Sequence, residues 1–203
     1  MTAAALDGLP QEVTVPPTMS MLEFPEQARG TVFNHVMLNW NPHGHEPPGV
    51  FDQPHFDFHF YMTDMASVMA IDPRRPDFAT KAAHLPDPKY VPVDYRPLPG
   101  PLTLTTVPAM GLHWVNNSEK IVPHKYHFTQ VLINGSWDGQ YTFVEPMITR
   151  DWLLTKSSVQ EPLKQPIAYQ HNGYFPNTYG VHYDNATNEY VISLGGMAMH
   201  QAT

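Results

Sequence analysis

The sequence predicts a mainly β protein, an antiparallel β sandwich or barrel with two or three short helices. Proline supplies 22 of the 203 residues and interrupts helices, while aromatic residues make up 12% and pack well on pleated surfaces. Several segments also alternate apolar and polar side chains with period two. A chain of this length can bury a core as one domain without staples. Cysteine is absent, which excludes a disulfide framework, thiolate metal sites and thiol catalysis. The formal charge is -8, and 11 Lys and Arg are spread along the chain, so there is no basic stripe for nucleic acid. No apolar run approaches the roughly 18 to 20 residues that cross a bilayer. The start, MTAAALDGLPQEV, shows no signal peptide.

Residues 1–30, rich in Pro and small residues, read as an extended N-terminal arm with one short strand. Residues 31–203 then form a single β-rich domain. TVFNHVMLNW is dense in β-branched and aromatic residues and reads as a strand. NPHGHEPPGVFDQ is a loop, punctuated by Pro42, Gly44, Pro47, Pro48 and Gly49. HFDFHFYM alternates strictly, with Phe56, Phe58, Phe60 and Met62 on one face and His55, Asp57, His59 and Tyr61 on the other. Thr63 caps a short helix in DMASVMAI, ended by Asp72-Pro73, and DFATKAAHL reads as a second. LTLTTV and GLHWV read as strands. KYHFTQVLI and QYTFVEP form a hairpin around NGSWDG. TRDWLLTK reads as one or two helical turns, and TYGVHYD pairs with EYVISL to close the domain on β structure.

Histidine carries the chemical signal, with 12 residues and no cysteine to share the work. His43-Gly44-His45 precedes the alternating strand, and its glycine and prolines can fold His45 back over a neighbouring pair of strand ligands. Side chains two apart on a strand share a face at roughly 6.5 Å, a spacing one ion can bridge, whereas His55 and His59 stand roughly 13 Å apart on a flat strand. Glu145 follows Phe143 and Tyr141 on one predicted strand face, and a buried carboxylate there needs a cation or a histidine. The competing reading is plainer: a solvent-facing strand rich in histidine, and a strand-end glutamate in water. His113, His124, His127 and His182 sit singly on β segments and read as hydrogen-bonded structural residues. G-x-S-x-G, H-E-x-x-H, P-loop and G-x-G-x-x-G signatures are missing.

NWNPHGHEPPGVFDQPHFDFHFYM, WDGQYTFVEPMIT and GYFPNTYGVHYDNATNEYVISL together resemble a bacterial family of unknown function that includes a ring-forming protein under extracytoplasmic-sigma-factor control. The similarity runs from about Thr31 to Leu194. The resemblance implies a β-rich fold, a periplasmic or secreted location and cyclic homo-oligomers, but no established reaction. It adds emphasis to His45, His55, Asp57, His59 and Glu145.

From these residues the expected function is binding of one divalent metal ion, zinc by the hardness of the donors, in a hydrolase or lyase acting on a small molecule. His45, His55, His59 and Glu145 are the expected ligands. Asp57 and Glu145 are the expected catalytic carboxylates, and Tyr61 and Tyr141 the aromatic walls. The alternative is a non-enzymatic oligomeric envelope or binding protein in which the metal is structural. Neither reading names a substrate.

Overall fold

The computed structural model describes residues 1–14 and 18–203. Strand accounts for 39% of the chain and helix for 15%, and among the described residues the antiparallel sheets form no closed barrel, so the fold is sandwich-like. The strands are β1 (Met19–Glu23), β2 (His35–Asn41), β3 (His55–Tyr61), β4 (Tyr95–Pro97), β5 (Thr106–Val107), β6 (Gly111–Asn116), β7 (Gln130–Trp137), β8 (Gln140–Thr149), β9 (Val159–Pro162), β10 (Gly173–Phe175), β11 (Thr178–Asp184), β12 (Glu189–Gly195) and β13 (Ala198–His200). Among the described residues four short α-helices lie between them: α1 (Met65–Met69), α2 (Phe78–Ala83), α3 (Leu102–Thr105) and α4 (Arg150–Leu154), besides three single 3-10 turns. This exceeds the two or three expected. The extra one is α3, which takes the first four residues of LTLTTV and leaves only Thr106 and Val107 as strand. Asp64, not Thr63, caps α1, its side chain accepting from the Ser67 amide.

The large sheet runs β1-β2-β3-β8-β7-β6-β4, with β5 added to β6. Of the N-terminal residues expected as an arm, Met19–Glu23 pair as β1 with β2, and Leu6 is buried in the main core. The second layer is the three-stranded sheet β12-β11-β9, and β10 and β13 pair separately. Between the two layers Phe56, Phe58 and Phe60 pack with Val36, Trp40, Ile148, Val181, Tyr183 and Tyr190. The Phe face of β3 is therefore core. Burial of such aromatic surface is the dominant favourable contribution to a fold of this kind.

The β7–β8 hairpin turns on Asp138-Gly139, both at positive φ, which is the backbone a two-residue type I′ turn requires. NGSW, read as part of the turn, instead completes β7. Partway along, the register slips between Gly135 and Ser136, so that Gly135 opposes Phe143 while Ser136 opposes Tyr141. One residue of slip reverses which face a side chain takes. Phe143 and Glu145 stay on the histidine face, whereas the Tyr141 hydroxyl donates to the Asn134 side chain on the opposite face. Tyr141 is therefore not a wall of the histidine site.

Candidate metal centre

The second face of β3 is as buried as the first. His55 is 0% exposed, Asp57 3%, His59 1% and Tyr61 0%. The solvent-facing reading of this strand is thus excluded. Loops close over the face: Val50 and Phe51 from the β2–β3 loop and Phe128 from the β6–β7 connection form one apolar cluster with Val131, Ile133 and Met147. Met37, Tyr61, Val68 and Phe143 form another. Polar side chains held inside such a cover need partners.

The donors divide into two groups of three rather than converging on one point: His45, His55 and Asp57 in one, His59, His113 and Glu145 in the other. The strand spacing that separates His55 from His59 is the physical reason. Within each group the ligand atoms lie within 4.8 Å of one another.

In the first group, Gly44 turns the loop back. Its φ is +71°, and a Cβ there would lie 1.9 Å from the Phe51 carbonyl oxygen, so the turn requires glycine. The His45 amide donates to that carbonyl, which brings the imidazole over the strand. His45 Nδ1 donates to the Glu46 carbonyl at 2.8 Å, and His55 Nδ1 donates to the Gln53 carbonyl at 2.7 Å. These bonds fix both tautomers and turn both Nε2 atoms towards Asp57. His55 Nε2 lies 3.0 Å from Asp57 Oδ1 and His45 Nε2 3.6 Å from Oδ2. Neither His55 Nε2 nor Asp57 Oδ1 makes a hydrogen bond in this arrangement. Asn41, across on β2, donates to Asp57 Oδ2 at 2.6 Å and holds the carboxylate in place. The His45 side chain is 37% exposed, so this group opens to solvent. Burial works against ionised Asp57, but the nearby His55 and His45 outweigh it and hold its carboxyl well below the usual range. Burial likewise works against charge on His45, and the neighbouring Asp57 carboxylate reverses it, so its pKa is raised.

The second group is closed. His59 on β3, Glu145 on β8 and His113 on β6 meet across the sheet, with side-chain exposures of 1%, 1% and 10%. His59 Nε2 stands 3.3 Å from Glu145 Oε1 and 3.5 Å from His113 Nε2, and His113 Nε2 stands 3.6 Å from Glu145 Oε2. His113 Nδ1 donates to the Gly111 carbonyl at 3.2 Å, again leaving Nε2 for the centre. Phe143 packs on both imidazoles, at 5.0 and 5.1 Å between centroids. Its ring occupies the space a Cβ at Gly135 would fill, 1.9 Å from the nearest ring atom. Tyr61 stacks between His59 and His35, and its hydroxyl donates to the Met110 carbonyl. Burial pushes His59 down to about 4 and His113 down to about 3. Burial, helped by the Asp57 charge, pushes Glu145 well up.

All five predicted residues therefore belong to donor groups, but to two of them. His113, read as structural, is the residue the sequence reading missed. It joins its group although β8 and β7 lie between β6 and β3 in the sheet, a tertiary approach that no local pattern announces. His43 lies apart, exposed and 3.5 Å from Glu12.

Comparison with known proteins adds one partial likeness. Residues 1–40 are similar to a family model described as TTHB210-like, hypothetical protein TTHB210. The match ends before His45 and includes none of the six donors. No curated protein and no solved structure matches the chain.

Proposed function

We propose that the protein binds a divalent metal ion through His45, His55 and Asp57 and uses it as a zinc-dependent hydrolase or lyase acting on a small molecule. The carrying observation is the pair of fixed tautomers: both Nδ1–H groups are tied to backbone carbonyls, and both Nε2 atoms face one buried carboxylate. Two imidazoles and a carboxylate suit zinc, with positions left for water or substrate, and the exposed His45 leaves a way in. Bound there, the ion would lower the pKa of a held water towards about 7 and polarise a substrate carbonyl. Asp57, expected as a base, serves in this reading as the third ligand. The same donor set also accommodates ferrous iron, and elemental analysis distinguishes the two.

The second reading is a non-enzymatic binding protein with a structural metal. It is favoured by two cavities: one of about 310 Å³ lies among Asp72, Arg75, Lys81 and Trp137, a smaller one lies beside Tyr141 and Tyr169, and neither is lined by a donor residue. Both readings keep the chain as a homo-oligomer, supported by β1 and β12, which end their sheets. The deciding experiment takes untagged protein through metal analysis and then a panel of esters, lactones and amides before and after chelation. Turnover that disappears with chelator, returns with zinc and is lost in His45→Ala supports the enzyme. Stoichiometric metal without turnover favours the binding protein.

A further inference from the structure

We propose that His59, His113 and Glu145 hold a second divalent ion, separate from the accessible one, which ties β3, β8 and β6 together inside the protein. The two imidazoles stand 3.5 Å apart and each faces a different oxygen of the one carboxylate, His59 at 3.3 Å from Oε1 and His113 at 3.6 Å from Oε2, and one ligand atom from each residue lies within 4.8 Å of the others. A tetrahedral ion with bonds of about 2.0 to 2.1 Å sets its ligands about 3.3 Å apart, which is close to the His59–His113 and His–carboxylate separations found here.

Hydrogen bonding alone leaves the group unsatisfied. Glu145 Oε2 is buried without a hydrogen-bond partner, and His59 Nε2 faces another Nε2 at the 3.5 Å limit. Uncompensated polar groups of this kind are costly in an apolar cover, and Phe143, Tyr61 and Met37 provide such a cover. One cation answers all three donors at once.

The position of the group gives the ion its role. β3 and β8 are neighbours, but β6 reaches them only across β7, so an ion here fastens strands that hydrogen bonds do not join directly. With no donor exposed beyond 10%, exchange requires the sheet face to open. The accessible group has no such barrier at His45. The two ions therefore differ in kind: one exchangeable, one slow to leave and coupled to folding.

The test is cobalt(II) titration of chelator-stripped, untagged protein, with wild type, His45→Ala and His113→Asn read by visible absorption and by thermal melting. An equivalent that survives His45→Ala, is lost in His113→Asn, leaves slowly on chelation and raises Tm supports the proposal. That result stands even should the accessible group take up no cobalt, in which case the functional reading above fails and this one does not. Should His113→Asn fold poorly, Glu145→Gln and the biphasic release of cobalt from wild type to a competing chelator supply the same readout. Binding that vanishes in His45→Ala, or a single fast-exchanging equivalent untouched by His113→Asn, overturns it.

Discussion

His59 Nε2 and Glu145 Oε1 lie 3.3 Å apart across β3 and β8, both on side chains only 1% exposed. Their backbones sit opposite one another in the register set by Asp57↔Met147 and Phe60↔Val144, beside Pro146, which has no N–H to give the ladder. An imidazole and a carboxyl are thus held together by strand pairing rather than by their own attraction. Burial holds the imidazole neutral and favours the protonated carboxyl. Neutral imidazole beside neutral carboxyl is electrically quiet, and a cation would favour the ionised carboxylate.

Without metal, stability should peak near about pH 6.5. His59 and His113 have folded values depressed to about 4 and about 3 from 6.5, so the stability they contribute is present above 6.5 and is lost as pH falls towards those values. Glu145 is raised from 4.5 and His45 from 6.5, so their contribution is present below those ordinary values and is lost as pH rises through the folded ones. Between 4.5 and 6.5 two histidines outweigh one carboxyl; above 6.5 only the losses remain. Thermal melting in chelator from about pH 5 to about pH 9 checks this, and a Tm that climbs steadily past about pH 8 contradicts it.

Phe58→Ala should destabilise the protein by about 3 to 5 kcal/mol, because it empties a site 6% exposed between the two layers. Metal stoichiometry should stay unchanged. Urea unfolding with parallel metal analysis gives both numbers, and a loss of metal without a loss of stability would mean that the faces of β3 are reversed.

Asn41→Ala should leave the fold intact and weaken the accessible ion by roughly 10- to 100-fold, as loss of a partner that orients a ligand generally does. The basis is its 2.6 Å bond to Asp57 Oδ2. Competition with a chromophoric chelator measures it; an unchanged affinity removes Asp57 from the ligand set.

Gly135→Ala should cost about 1 to 3 kcal/mol by overpacking. The new Cβ meets the Phe143 ring at 1.9 Å, and that ring backs both His59 and His113. The shift should also speed release of the buried ion. Phe143→Leu added to Gly135→Ala should recover part of the stability, and a double variant no better than the single one would place the strain elsewhere.

The sequence by itself determined the elements whose signal is local. Strict alternation marked β3 and its apolar face, Asp138-Gly139 supplied a hairpin turn, Asp72-Pro73 closed α1 within a few residues, and Gly44 with its prolines marked a loop able to return His45 to the strand. Even the doubt about His55 and His59 was legible, since strand spacing alone keeps them apart. What only the tertiary structure decided depends on neighbours distant in the chain. Tertiary packing brought His113 to Glu145 and His59, although β7 lies between β6 and β8 in the sheet. A one-residue slip at Gly135 sent Tyr141 to the far face, which alternation counted along β8 alone cannot reveal. Whether the histidine face met water or an apolar cover was settled by the loops carrying Phe51 and Phe128, because burial is a property of what packs on a strand and not of the strand's own residues.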